Sequence, residues 1–296
     1  MNAPIVVGVD GSTRSLDAVR WASHEAVLRR RPLHIVAAIR GEPSTYGNAF
    51  TLAAPQFAAK RREGKLRLSR GRAAALPATG DGPVVTEHLG FGHPVDILLE
   101  QSADSAMLVV GSRGLGRWAD GILGSVSTAI VLHARCPVAV IRELPSEDEP
   151  ARGRPVVVGV DGSEHSEPAL AQAFETASLH GVELVAVHAW SDSHLSTAFR
   201  TDPDGESLDW DAVAIAEHAV LAERLAGWKD QYPDVVVRRV VVHDNPAQEL
   251  ITESKSAQLV VVGRRGRGGF KSMLLGSTSR NLLHRALCPL LIVTHP

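Results

Sequence analysis

Two stretches of this 296-residue chain carry one spacing of glycine and serine, Gly-x-x-Gly-x9-Gly-Ser. It occurs at Gly111, Gly114, Gly124 and Ser125, and again at Gly263, Gly266, Gly276 and Ser277. Each copy leaves a hydrophobic run, Met107-Leu-Val-Val or Leu259-Val-Val-Val, and enters a segment of helical pattern. Glycine lets backbone N–H groups approach an anion closely and form a concave nest. A helix beginning near Ser125 or Ser277 aims its unsatisfied amides and positive dipole end at the same point, and the serine hydroxyl adds a donor. That chemistry suits phosphate oxygens. Glycines needed only for tight turns and packing are the alternative, and duplication of the full spacing weighs against it. Arg113 and Arg265 stand at matching places in the two loops, where a guanidinium neutralises phosphate charge or is simply solvated.

The elements that position these loops also occur twice. Pro4-Ile-Val-Val-Gly-Val-Asp-Gly-Ser12 is echoed by Pro155-Val-Val-Val-Gly-Val-Asp-Gly-Ser163, and the glycine loops repeat at the same offset to within one residue. A single offset over so long a stretch marks a duplicated domain. We therefore expect a first domain at 1–144, a linker at 145–154 rich in Pro, Gly and charge, and a second domain at 155–296. Within each half, β-branched runs alternate with helical patterns, which predicts βαβ units and a parallel sheet buried on both faces. The predicted strands are Ile5 to Val9, Leu33 to Ile39, Val84 to Leu89, Met107 to Val110 and Val138 to Ile141. In the second half they are Val156 to Val160, Glu183 to His188, Val235 to Val242, Leu259 to Val262 and Leu290 to Val293.

Val213, Ala216, Val220, Leu221, Leu225 and Trp228 recur at helical steps and predict a helix covering the second sheet. Ser15 and Ser166 are predicted N-caps, and Pro94 and Pro246 open the helices after the third strands. The stretch from Arg40 to about Gln56 shows no period. The glycine loops follow the fourth strand of each half, where neither a G-x-x-x-x-G-K-[ST] loop nor a G-x-G-x-x-G after strand one is found. In a doubly wound sheet ligands gather beyond the carboxyl ends of the strands where strand order reverses, which sets Gly8-Val9-Asp10 and Gly159-Val160-Asp161 beside the loops.

Composition narrows the classes. A net charge of -2 argues against a protein whose task is to coat nucleic acid, and no run approaches the roughly 20 apolar residues of a membrane helix. The opening Met1-Asn2-Ala3-Pro4 runs straight into the first strand with no secretory pattern, so the expected compartment is the cytoplasm. Cys136 and Cys288 each precede a proline in separate halves and read as buried small hydrophobes. The 13 histidines show no metal-ligand spacing, and no G-x-S-x-G elbow points to a nucleophile.

The glycine loop, the Val-Gly-Val-Asp-Gly-Ser end of the first strand and the Cys-Pro-Val/Leu start of the last together resemble the ATP-binding branch of the universal stress protein family, over nearly the whole chain and twice. The resemblance implies two tandem flavodoxin-like or Rossmann-like α/β domains, each a five-stranded parallel sheet in the order 3-2-1-4-5 with helices on both faces. It also implies ATP in each half, two per chain and with Mg²⁺, and a homodimer that uses the last strand.

Carried onto this sequence, the resemblance puts Gly8, Asp10, Gly159 and Asp161 at the nucleoside, with the pocket bordered by Ala38 to Arg40 and by Ala189 to Asp192. Asp at such a turn is equally a turn-former. The phosphates fall to Gly111, Ser112, Arg113, Gly114, Leu115, Gly116, Arg117, Gly124, Ser125 and Val126. In the second half they fall to Gly263, Arg264, Arg265, Gly266, Arg267, Gly268, Gly269, Gly276, Ser277, Thr278 and Ser279. The second loop, Arg264 to Lys271, is the more basic, and on loop charge alone it is the tighter site. The function expected is a stress-response regulator that changes its surface for a regulatory protein partner when nucleotide binds, with no nucleic acid or membrane partner. The competing expectation is a slow ATPase or autophosphorylating protein, with Asp10 or Asp161 assisting a metal or water and Ser125 or Ser277 near the γ-phosphate; no arginine finger or general base stands out for fast phosphoryl transfer.

Overall fold

The computed structural model describes residues 2–40, 42–43, 51–52, 54–76, 82–114, 123–142, 153–190, 210–266 and 274–294. The first repeat runs β1 (Ile5–Gly8), α1 (Thr13–Leu28), β2 (Leu33–Ile39), the short β3 (Glu42–Pro43) and β4 (Thr51–Leu52), α2 (Ala54–Ala75), β5 (Val85–Phe91), α3 (Pro94–Ser102), β6 (Met107–Gly111), α4 (Ser125–His133) and β7 (Val138–Ile141). The second runs β8 (Val156–Val160), α5 (Glu167–His180), β9 (Leu184–Trp190), α6 (Trp210–Gln231), β10 (Val237–His243), α7 (Pro246–Glu253), β11 (Leu259–Gly263), α8 (Ser277–Arg285) and β12 (Leu290–Val293). The chain divides into two compact units, Met1–Asp148 with Leu287–Thr294 and Glu149–Ala286.

In the first unit β5, β2, β1, β6 and β7 lie side by side and parallel, the expected order 3-2-1-4-5. β-Branched and other aliphatic residues point to both faces here: β1, β6 and β7 are buried almost throughout, from Ile5 and Val7 to Leu108, Val109 and Val138. β12 is counted with this unit and pairs antiparallel to β7, Leu290 against Val140. α2 packs on the face that carries Val9, Ile35 and Ile39, and α3 on the opposite face against Gly8 and Gly90. In the second unit β10, β9, β8 and β11 repeat the parallel order. There α5 and α6 share one face through the stacked rings of Phe174, Trp228 and Tyr232, while Leu250 of α7 lies against Gly159 on the other.

Several local expectations shift. The third strands extend to Phe91 and His243, beyond Leu89 and Val242, because the ladder with β2 and β9 continues through Ile39↔Phe91 and Trp190↔His243. Gly90, which reads as a strand end, makes room for Ile97, whose Cδ1 would lie 2.7 Å from a Cβ there. The N-cap of α1 is Ser12, and Ser15 lies one turn inside, donating to the Ser12 carbonyl at 2.8 Å. Ser166 precedes α5 but makes no capping bond; its hydroxyl donates to Ser163 O at 2.8 Å within a short 3-10 turn. Val213, Leu221 and Leu225 are buried beneath α6 as expected, whereas Ala216 is exposed.

α2 has no counterpart among the predicted elements. Its inward stripe is Gly64, Leu68, Gly71 and Ala75, two of them glycines, so helical periodicity of large apolar residues is absent from the sequence. Close approach explains the choice, since a Cβ at Gly71 would stand 3.2 Å from Ile35 Cγ2. Cys136 and Cys288 are both buried thiols. Among the described residues no helix is long and apolar enough to cross a membrane.

Candidate ligand-binding site

The x9 spacing has a structural cause visible in both repeats. Gly124 N donates to Ser112 O at 2.9 Å, so α4 starts beside the end of β6. Ser127 Oγ then donates to Gly111 O at 2.7 Å and fastens the helix to the strand end. The second repeat is wired alike: Gly276 N donates to Arg264 O at 2.9 Å and Ser279 Oγ to Gly263 O at 2.8 Å. Gly124 and Gly276 are the N-caps, so Ser125 and Ser277 open the helices without capping them. Leu115, Gly116, Arg117, Arg267, Gly268 and Gly269 lie outside the described residues, as does Asp192.

The turn after strand one meets this loop directly. Asp10 Oδ1 accepts from Ser12 N at 2.9 Å and Ser12 Oγ at 2.6 Å, and a Cβ on Gly114 would collide with Oδ2. Asp161 is held identically by Ser163 N at 2.9 Å and Oγ at 2.6 Å, with a Cβ on Gly266 placed 2.8 Å from its Oδ2. The aspartates are thus turn-formers whose second oxygen faces the glycine loop. Ser15 supports the first turn from below, its Oγ accepting from Gly11 N at 3.2 Å.

Above these strand ends the first unit holds a cavity of about 800 Å³. Gly8, Asp10, Gly111, Arg113, Gly114, Gly124, Ser125 and Val126 all line it, so the structure brings together eight of the residues predicted for the first site. Ser112 is buried and not part of the lining. Val9, Val36, Ile39, Leu98 and Val110 add apolar side chains to the lining beside the glycine corner. In the second repeat Gly159, Asp161, Gly263, Arg264, Arg265, Gly266, Gly276, Ser277, Thr278 and Ser279 take the matching positions in the fold, with the Ser279 hydroxyl turned back onto Gly263. A separate recess of about 440 Å³ in that unit is lined by Gly162, Glu167, Val220, Glu223 and Arg224, none of them predicted.

Among the described residues, charge around the first cavity is weighted to cations: Arg40, Lys60, Arg67 and Arg113 line it with Asp10 and Glu63 as the carboxylates, and Glu63 is bonded by Arg67. Arg142, at the end of β7, has its basicity lowered by burial first and then by the charges of Arg113 and Arg14, against an opposing effect of Cys288. Arg264 is likewise lowered by burial and by Arg265.

Residues 1–142 and 153–294 each match the universal stress protein family. The chain is 42% identical over 292 residues to the universal stress protein Rv2005c of Mycobacterium tuberculosis, covering 97% of this chain and 96% of the relative. It is 40% identical over 294 residues to Rv2623 of the same organism, covering 97% and 95%. The chain belongs to the universal stress protein family. A crystal structure of a universal stress protein from Archaeoglobus fulgidus superposes with a TM-score of 0.70 at 18% identity over 99% of this chain and 98% of that one, a likeness of fold.

Lys60, Glu63 and Arg67 of this universal stress protein escape a reading of the sequence, because the helix that carries them has no apolar period. Arg14 and Arg142 escape it because only the sheet order brings the ends of α1 and β7 to the loop. A signal for α2 exists in its length of polar, alanine-rich sequence, but not in its apolar spacing.

Proposed function

We propose that this universal stress protein is an ATP-binding regulator with one adenine-nucleotide site per repeat, and that the cavity beside Asp10 is the first of them. The observation that carries this reading is the joining, in one cavity, of apolar side chains to a glycine corner with Arg113, Arg40 and Lys60 in the same lining. A base fits the apolar lining of Val9, Val36, Ile39 and Leu98, and phosphates fit the corner of Arg113, Gly114 and the opening turn of α4 at Ser125 and Val126, the amides of Ser112 and Gly124 being held by Ile141 O and Ser112 O. Arg113 and Lys60 supply counter-charge. Mg²⁺ arrives on the phosphates in this reading, with the Asp10 carboxylate in the same lining.

Occupancy alters the surface offered to a regulatory protein or a second copy of the chain in the cytoplasm. Ser125 and Asp10 line the same cavity, which keeps slow hydrolysis or self-phosphorylation as a second reading; sustained ADP release lost in Asp10→Ala with Asp161→Ala would favour it. Gly124 and Gly276 allow a clean test of binding. Both have ordinary extended backbone, and among the described residues a Cβ on either meets nothing closer than 3.6 Å, so a side chain can begin there without a backbone clash, beside Arg113 in the first repeat and Arg265 in the second. Ligand released by denaturing the purified protein, identified by mass spectrometry, is expected to be adenine nucleotide in the parent and absent from the double Gly→Val variant with its melting temperature kept. Nucleotide retained by that variant would remove the glycine corner from the site.

A further inference from the structure

α2 brings a polar stripe to the first cavity. Lys60, Glu63 and Arg67 stand three and four residues apart on this helix, hence on one side of it, and all three line the cavity. Two contacts fix where the stripe lies. Lys60 Nζ donates to Arg40 O at 3.3 Å, at the end of β2. Arg67 lays its stem along the turn after β1, where a Cβ on Gly11 would stand 3.4 Å from Arg67 Cγ; φ is +89° at Gly11, a conformation open to glycine. Glu63 sits between these anchors. Its neighbour Gly64 packs on Ile39, whose Cγ2 would lie 3.0 Å from a Cβ there, and Arg67 donates to Glu63 Oε1.

The two lining carboxylates are placed differently. Asp10 is committed to its turn, with Oδ1 accepting from Ser12 N and Oγ and Oδ2 facing Gly114. The Glu63 side chain is 56% exposed, and among the described residues its Oε2 has no hydrogen-bond partner. A carboxylate beside a polyphosphate costs affinity unless it meets a donor. An adenine nucleotide offers two kinds, the hydroxyls of its ribose and the amino group of its base. Order along the cavity selects the first. Val9 and Ile39 belong to the apolar lining that suits the base, and Gly114 to the corner that suits the phosphates. Glu63 stands between Ile39 and the Asp10–Gly11 turn, where the sugar joins the two.

We propose, resting on the reading of this cavity as a nucleotide site, that Glu63 determines its specificity for the sugar. The carboxylate, with Oε1 held by Arg67, accepts from the ribose hydroxyls through Oε2, so the first site takes ribonucleotides ahead of deoxynucleotides. A hydrogen bond to a charged acceptor, lost when the donor is removed, corresponds to about a tenfold difference in affinity or more.

Titration calorimetry of the full chain carrying Gly276→Val, so that the first repeat reports alone, tests this. The ligands, each with Mg²⁺, are ATP, its dideoxy analogue lacking both ribose hydroxyls, and inosine triphosphate, which lacks the amino group of the base. ATP is expected to bind at least about tenfold more tightly than the dideoxy analogue. Adding Glu63→Ala is expected to cut that ratio about tenfold while the melting temperature and the ratio of ATP to inosine triphosphate stay as they were. Ligands with the same phosphates are compared, so whatever Arg67 does to the phosphates once released from Glu63 cancels in the ratio. A dideoxy ratio near one before Glu63 is changed, or a ratio unmoved by Glu63→Ala, would overturn the assignment. So would a fall in the ratio of ATP to inosine triphosphate, which would give Glu63 to the base. ATP bound by the parent but not by the Gly276→Val chain would overturn it while leaving a nucleotide site in the second repeat. Absence of ATP binding by the parent would overturn the functional reading and this proposal with it.

Discussion

The contact between Gly266 and Asp161 lends itself to a double-mutant cycle. In Gly266→Ala the new methyl carbon would stand 2.8 Å from Asp161 Oδ2, inside van der Waals contact, and the carboxylate cannot swing away freely because its other oxygen accepts from Ser163 N and Oγ. Clearing the methyl means breaking one of those charge-assisted bonds or shifting the loop, a cost of about 2 kcal/mol. Asp161→Ala alone loses both bonds of a part-buried turn, about 1 to 2 kcal/mol. In the double variant the collision is gone, so its cost should approach that of Asp161→Ala, leaving a coupling of about 2 kcal/mol.

Hydrogen exchange followed by mass spectrometry on nucleotide-free protein reads this locally, in peptides spanning β8 and β11, with the first repeat as an internal reference. Additivity to within about 0.5 kcal/mol would refute the claim that these two residues are in steric contact. The cycle of Gly114 with Asp10, where the approach is closer, is expected to show coupling at least as large.

Burial pushes the Cys136 thiol up, against the smaller opposing effect of Ser105 Oγ at 3.1 Å, so the folded protein is expected to resist iodoacetamide at mildly alkaline pH and to label only when urea opens the core. Rapid labelling of native protein would contradict this. Burial, and then the charge of His88, hold His34 below the ordinary imidazole range. Its folded value being the lower one, the stability it contributes is present above that range and is lost as pH falls through it. Thermal melts from about pH 7.5 to about pH 5 should therefore drop more steeply in the parent than in His34→Gln, and parallel curves would rule out the assignment.

Much of this protein is legible in its sequence. The hydrophobic runs of β1, β6 and β7 announce strands buried on both faces, since a parallel sheet covered by helices needs apolar residues at successive positions. The doubled Gly-x-x-Gly-x9-Gly-Ser and Val-Gly-Val-Asp-Gly-Ser patterns mark the duplication and the strand ends that meet. Glycine and Asp carry local backbone requirements, and local requirements are written in local sequence.

What the sequence does not disclose depends on packing between distant elements. α2 hides because glycines, not large apolar residues, form much of its inward stripe, and so the cations it sends to the first cavity are invisible. Arg14 and Arg142 lie far from the loop in sequence and reach it only through the 3-2-1-4-5 order. The pairing of His188 with Glu217 joins a strand to a helix across the sheet face. Repetition in the sequence establishes that there are two domains of one kind; where they differ is decided in the tertiary structure, because His188 and Glu217 acquire their meaning only from standing opposite one another.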